Sequence, residues 1–98
     1  MSYKIQYTPR AKRDYVVIIE YLAQFYPSTP QKFKDALKKG IRYIAEHPTR
    51  CPSYEYRPEF RKLNVNQYLV FYMIDEEEET IYIARIRHGK EDLEHNWE

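Results

Sequence analysis

The stretch Ile81-Tyr82-Ile83-Ala84-Arg85-Ile86-Arg87-His88-Gly89-Lys90-Glu91-Asp92 decides how this chain is read. It begins with the β-branched and aromatic character of a strand and stops in a basic cluster beside a glycine. A strand projects its side chains to fixed faces, so groups at its end are held rigidly yet reach solvent. Arg85, Arg87, His88 and Lys90 therefore gather near a sheet edge or rim. Such a cluster suits an anionic partner: phosphate, a carboxylate-rich peptide or nucleic acid. Strict alternation places Ile81, Ile83, Arg85 and Arg87 on one face, and Tyr82, Ala84, Ile86 and His88 on the other. The histidine is then separated from the arginines unless a bulge at Gly89 re-aims one of them.

Working back from this strand, Tyr68–Ile74 and Phe60–Val65 read as two more strands. Asn66-Gln67 is a tight turn between them, and Asp75–Glu79, with four consecutive glutamates, is a solvated hairpin tip. Loops this short make the three strands an antiparallel meander. Residues 48–59, rich in proline, tyrosine and charge, read as an irregular connection. Residues 91–98 are polar apart from Leu93 and Trp97, whose spacing of four suits a short docked helix or turn.

Upstream, Tyr3–Tyr7 alternates and reads as a first strand. Thr8-Pro9 then supplies a hydroxyl N-cap followed by proline at the first helical position. Ala11, Tyr15, Ile18, Ile19, Leu22 and Phe25 share one helical face, and Tyr26-Pro27 ends the helix, because proline disfavours helical geometry in its predecessor. Thr29-Pro30 repeats the start signal. Phe33, Ala36, Leu37, Ile41 and Ile44 form a second stripe that His47-Pro48 stops. Gly40 lies mid-helix, where glycine costs about 1 kcal/mol relative to alanine, so a close helix–helix or helix–sheet approach is expected there. The order strand, helix, helix, three strands predicts an α+β domain, residues 1–98, in which a helical hairpin packs on a small antiparallel sheet.

Composition narrows the possibilities. Apolar residues are 43% of the chain, enough for a compact core, and the eleven tyrosines suit a thin domain whose sheet is half wet. Cys51 is the one cysteine, so an internal disulfide is impossible and a reducing compartment is expected. In the Pro48–Pro52 turn it reads as an incidental thiol, since no histidine and asparagine arrangement marks it as a nucleophile. The longest apolar run is far short of the ~20 residues of a membrane helix, and no signal peptide is read, so a cytoplasmic location is expected. Net charge is +1 but uneven: residues 1–72 hold 13 basic and 6 acidic groups (+7), and residues 73–98 hold 3 basic and 9 acidic (−6). That balance argues against strong non-specific nucleic-acid binding. His47, His88 and His95 lack metal-ligand spacing, so neither a metal nor a cofactor is expected.

These pieces together resemble the RelE/ParE superfamily of bacterial toxins from type II toxin–antitoxin modules. The resemblance rests on Tyr7-Thr8-Pro9-Arg10-Ala11 opening the first helix and Ile44-Ala45-Glu46-His47-Pro48 closing the second. It rests further on Arg61-Lys62-Leu63 leading into Tyr68-Leu69-Val70-Phe71-Tyr72, and above all on Ala84 through Asp92. It covers essentially the whole chain and implies the β-α-α-β-β-β fold already read from the pattern. Two branches are implied: RelE-like members cut messenger RNA in the ribosome, and ParE-like members inhibit DNA gyrase. The last strand is more similar to the ParE branch, which commonly ends in Arg-Val-x-His-Gly. The RelE branch typically places an arginine before the Leu-Val pair, where this chain has Tyr68. It also usually carries a catalytic tyrosine or histidine near its end, where this chain offers only His95 and Trp97.

RNA cleavage requires a base for the 2′-hydroxyl, an acid for the leaving oxygen and cations for the phosphorane. Were the chain a ribonuclease, His88 would be the acid or base, with Arg61, Arg85 and Arg87 holding phosphate. The alternative for His88 is a hydrogen-bonding residue ending a strand before a glycine turn. For Arg85 and Arg87 it is a salt-bridged face, paired with Glu91 or Asp92. Arg61-Lys62 read equally as edge-strand charges that discourage aggregation. Lys12, Arg13, Lys38, Lys39 and Arg42 point outward and read as solvation. The leading expectation is a ParE-like toxin that acts by binding gyrase and is neutralised by a cognate antitoxin. Such an antitoxin would lay a disordered segment across the hairpin and sheet and could join toxins into larger assemblies. Arg61, Lys62, Arg85, Arg87 and Lys90 are the expected contacts to target or antitoxin. The alternatives are a ribosome-dependent endoribonuclease acting on mRNA, or a degenerate relative that only binds its partner.

Overall fold

The computed structural model describes residues 2–90. Its elements run β1 (Lys4–Tyr7), α1 (Pro9–Leu22), α2 (Thr29–Glu46), β2 (Ser53–Tyr54), β3 (Arg57–Val65), β4 (Tyr68–Asp75) and β5 (Thr80–His88). The strands form one sheet in the order β1-β5-β4-β3-β2. From β2 to β5 every pairing is antiparallel, as the meander requires. β1 instead lies parallel to β5, with Lys4 opposite Thr80 and Tyr7 opposite Ile83. The α+β hairpin-on-sheet class is therefore as expected, but the sheet is mixed. The physical reason is the crossover: two helices separate β1 from the meander, and a long connection of this kind permits parallel pairing.

The helices cover one face of the sheet. Ala11 and Ile18 from α1 and Phe33, Leu37 and Ile44 from α2 pack on Leu63, Val65, Val70, Tyr72, Ile81, Ile83 and Ile86. The two helices also meet through Tyr15 and Phe33, whose rings lie 6.4 Å apart. Gly40 makes the close approach anticipated for it: a Cβ there would lie 3.1 Å from Leu63 Cδ2 and 3.3 Å from Val65 Cγ2. On the opposite face a smaller cluster joins Tyr54 and Phe71 with Phe60 and Leu69.

Several boundaries differ from the reading of the sequence. α1 stops at Leu22 rather than at Tyr26, and its last turn tightens through Gln24 N–H to Tyr21 O and Phe25 N–H to Leu22 O. Phe25 falls beyond the helix and is exposed, so it leaves the core stripe assigned to it. The cap of α2 is Ser28, one residue before Thr29, and its side chain makes no capping hydrogen bond. Residues 48–59 are not wholly irregular: they hold β2 and the start of β3. Pro58 is tolerated in β3 because the β2–β3 register shifts between Ser53 and Tyr54, and Ser53 Oγ donates to the Pro58 carbonyl at 2.8 Å. Both tight turns are present, with Asn66 at φ 55° and Glu79 at φ 48°. The helix or turn expected around Leu93 and Trp97 lies outside the described residues.

Candidate functional site

The basic cluster is organised by a bulge. Along β4 and β5, Phe71 pairs with Arg85 but Tyr72 pairs with Ile83, so Ala84 has no partner. Such an insertion reverses the alternation of everything after it. Directly paired residues share a face, so Ile86 (opposite Val70) and His88 (opposite Tyr68) join Ile81 and Ile83 beneath the helices. Arg85 and Arg87, opposite Phe71 and Leu69, take the other face. The separation of His88 from the arginines holds, but the bulge sits at Ala84 rather than Gly89 and changes which neighbours each has.

β1 ends opposite Ile83, so the outer edge of β5 beyond that point needs other partners, and α1 supplies them. Thr8, the N-cap, accepts a hydrogen bond from Ala11 N–H at 3.2 Å and donates its hydroxyl to the Ala84 carbonyl at 3.1 Å. Its own N–H donates to the Ile83 carbonyl. Two turns on, Asp14 Oδ2 accepts from Ile86 N–H at 2.9 Å and from Arg85 Nε at 2.8 Å, and Oδ1 accepts from Arg85 Nη2 at 3.3 Å. Both side chains of this ion pair are largely buried, at 9% exposure for Arg85 and 15% for Asp14. Arg85 is thus paired with a helix carboxylate, and Glu91 and Asp92, the partners expected for it, lie outside the described residues. The sequence carried a signal for this. Asp14 falls three residues after Ala11 and four before Ile18, on the buried side of α1, and an acid in that position implies a buried cation.

The remaining candidates are also engaged. His88 Nδ1 accepts from Lys90 N–H at 3.1 Å, its ring lies 5.2 Å from that of Tyr68, and Gly89 N–H donates to the Gln67 carbonyl. Arg61 Nη1 donates to the carbonyls of Cys51 at 2.6 Å and Thr49 at 3.3 Å. Its cross-strand neighbour Tyr72 donates to the Pro48 carbonyl at 2.7 Å, so the two residues together hold the loop after α2. Burial pushes the Tyr72 hydroxyl well above the ordinary tyrosine pKa, reinforced by its hydrogen bond and charge interaction with Cys51, with Arg61 opposing. Lys62 lies on the far face, its ammonium 5.9 Å from the Tyr54 ring centroid.

Register sets the spacing of these residues. Arg61 shares a row with Tyr72 and Ile83, Lys62 with Phe71 and Arg85, and His88 with Tyr68 and Val65. Tyr68 and Tyr72 are four residues apart on β4, so the Arg61 and His88 rows are separated by roughly 13 Å along the strand. A general acid and a phosphate clamp acting on one phosphodiester both need to come within about 3 Å of it. Tyr68 is buried in the helix-facing core, its ring 5.1 Å from Phe33.

Two grooves flank α1. One, between α1 and α2, has a volume near 700 Å³ and is lined by Tyr7, Tyr15, Val16 and Ile41 with Lys34 and Asp35 at its rim. The other, between α1 and β5, is near 780 Å³ and brings Arg13, Arg85, Arg87 and Lys90 beside Val17 and Tyr21. From sequence Arg13 reads as solvation, and Tyr21 carries no functional signal. Only the folding of α1 along the β5 edge places them with the basic cluster. Among the described residues, no histidine, cysteine, aspartate and glutamate group could hold a metal, and no helix is long and apolar enough to cross a membrane.

The sequence profile of the ParE toxin of type II toxin–antitoxin system, parDE, matches residues 5–93. No curated protein matches the chain. Among solved structures, the chromosomal ParDE toxin–antitoxin system of P. aeruginosa superimposes with a TM-score of 0.76 at 14% identity, over 91% of this chain and 98% of that one. The RelBE2 toxin–antitoxin complex of Mycobacterium tuberculosis gives 0.63 at 21% identity, covering 90% and 92%. The isolated RelE toxin of E. coli gives 0.65 at 14% identity, covering 93% and 88%. At these identities the likeness to the solved structures is one of fold.

Proposed function

Because the chain belongs to the ParE toxin family of type II toxin–antitoxin systems, whose solved relatives include toxin–antitoxin complexes, we propose that it arrests growth by binding DNA gyrase in the cytoplasm, not by cutting RNA, until its cognate antitoxin neutralises it. One observation supports this reading most. The three groups that would have to perform ribonuclease chemistry are spread over separate rows and committed elsewhere. Arg85 is tied to Asp14, Arg61 to backbone carbonyls, and His88 to the turn that follows it. The place of the RelE-branch arginine is taken by Tyr68, a core residue. A toxin that works by occupying a surface needs none of these groups to reach a phosphate.

The test uses one preparation of the toxin in two assays. Inhibition of gyrase supercoiling, reversed by the antitoxin, is expected, with messages on translating ribosomes left intact. Site-specific message cleavage that disappears in His88→Ala protein would refute the proposal.

A further inference from the structure

α1 turns Ala11 and Ile18 into the core, and its opposite side faces solvent. At about 3.6 residues per turn, that outer side carries Pro9, Arg13, Val16 with Val17, Glu20 and Gln24, all of them exposed. Val16 borders the α1–α2 groove and Val17 the α1–β5 groove, so the crest between the two grooves is apolar at its middle. Tyr21 and Phe25 extend the apolar surface toward the end of the helix, their rings edge to face at 5.2 Å. Val16, Val17, Tyr21 and Phe25 are each more than half exposed (51–56%). At about 100 Å² for each half-open aromatic and less for each valine, they leave roughly 350 Å² of apolar surface in water. A patch of that size on one chain marks an interaction site.

The charges on this crest are ordered about its centre. Arg13 lies three residues before Val16, and Glu20 three residues after Val17. Neither meets an opposite charge one turn away on its own helix: Arg13 has Pro9, Arg10, Val16 and Val17 at those positions, and Glu20 has Val16, Val17, Ala23 and Gln24. α1 also has no acid in its first turn and no base in its last, so Lys12 and Glu20 run against the helix dipole. We infer that the crest is a homodimer contact, in which a second copy of the chain lays its α1 antiparallel on the first about a two-fold axis between Val16 and Val17. A two-fold contact pairs residue i with j and j with i. With the axis there, Val16 meets Val17 of the partner subunit and Arg13 meets Glu20 of the partner subunit, and both pairings recur by symmetry. The same packing sets each basic N-terminal turn beside the negative end of the other helix. This self-complementary order is what selects a second copy, since an unrelated partner does not require it. Doubled, and widened by the polar side chains around it, the patch buries about 1,200 Å², the lower bound of specific interfaces. A reversible dimer with Kd on the order of 10 µM is therefore expected.

The experiment is sedimentation equilibrium of the full chain, purified free of antitoxin, from about 1 to about 200 µM. Wild type is compared with Val17→Glu, Arg13→Glu, Glu20→Arg and the charge swap Arg13→Glu/Glu20→Arg. All three positions are exposed, and circular dichroism checks that each protein is folded. Wild type should pass from monomer to dimer across this range. Val17→Glu, which sets a carboxylate against the partner's Val16, should stay monomeric throughout. Each single charge reversal should weaken the dimer at least about fivefold, and the swap should return it to within about twofold of wild type, because only a second copy carries the compensating change. A wild type that stays monomeric at about 200 µM overturns the inference. If Val17→Glu then weakens antitoxin binding, the crest belongs to the antitoxin instead. Dimers that survive Val17→Glu place the contact elsewhere, and a swap that fails to rescue the single reversals rules out the antiparallel pairing; either result overturns the inference as well.

Discussion

Removing the Asp14 carboxylate should be among the most damaging single changes to this fold, although the residue lies on a helix surface bordering a groove. Asp14→Ala deletes three hydrogen bonds at once, two from the Arg85 guanidinium and one from Ile86 N–H. Breaking a fully buried ion pair by losing one partner costs about 3–5 kcal/mol, because the remaining charge is left without compensation. Arg85 keeps about a tenth of its surface in water (9%), which places the cost at the lower end, about 3 kcal/mol including the orphaned N–H. Asp14→Asn keeps an acceptor for Ile86 N–H and should recover about 1 kcal/mol of that loss. Arg85→Met alone should cost about 1.5 kcal/mol, since the carboxylate retains the backbone N–H. The double variant Asp14→Ala/Arg85→Met buries no charge and should cost about 2 kcal/mol, well below the sum of the singles at about 4.5, a coupling of roughly 2.5 kcal/mol. Urea unfolding followed by circular dichroism measures all four, with a constant m-value confirming that only stability changed. In heat, Asp14→Ala should lower Tm by roughly 12–24 °C, at about 4–8 °C per kcal/mol for a domain of this size. If Asp14→Ala lies within about 0.5 kcal/mol of wild type, or the singles add, then the carboxylate does not hold the bulge.

Three further outcomes follow from the same packing. Tyr72→Phe should cost about 1–3 kcal/mol at neutral pH by orphaning the Pro48 carbonyl. Burial raises the Tyr72 pKa above its ordinary 10.0 in the folded chain, so the unfolded chain releases the proton first. The stability tied to that proton is intact below about pH 10 and is lost as pH climbs above it; alkaline titration should show wild type falling more steeply there than Tyr72→Phe. Asn66 sits at φ 55°, so Asn66→Gly should be near neutral in chemical unfolding and Asn66→Val should cost about 1 kcal/mol or more. Gly40→Ala gains about 1 kcal/mol of helix propensity but drives a methyl into Leu63 and Val65, where overpacking costs about 1–3 kcal/mol. A net loss near 1 kcal/mol is expected, and a raised Tm would show that the helix–sheet contact has slack.

The fold was legible where local chemistry and periodicity agree. Thr8-Pro9 announced α1, His47-Pro48 ended α2, and Asn66-Gln67 and the glutamate run marked both hairpin turns. Gly40 foretold a close approach because a glycine in mid-helix otherwise only weakens it. What escaped were features whose cause lies elsewhere in the chain. β1 could have paired in either direction, since a two-helix crossover fixes neither its partner nor its sense. Pro58 argued against a strand until the β2–β3 register shift made room for it. The bulge at Ala84 leaves no trace in composition: alanine is neither a turn former nor a strand breaker, and what stabilises the insertion is Thr8 and Asp14 from a distant helix. For the same reason Arg13 and Tyr21 looked like ordinary surface residues.

The bulge also explains how the basic cluster is tied to the rest of the fold. A regular β5 would have kept Arg85 in phase with Ile83, leaving the far edge of the strand bare beyond β1. With one residue inserted, Ile86 is drawn beneath the helices while Arg85 turns to the other face, and the Ala84 carbonyl and Ile86 N–H, unpaired within the sheet, are satisfied by α1. Asp14 meets one of those demands, and its charge then requires a cation, which Arg85 provides. The arginine nearest the bulge is thus spent on neutralising the group that holds the bulge together. Arg87 and Lys90 lie farther along, and the same tethering of α1 brings Arg13 alongside them. A structural need at one residue thereby converts a strand-end cluster into one wall of a groove.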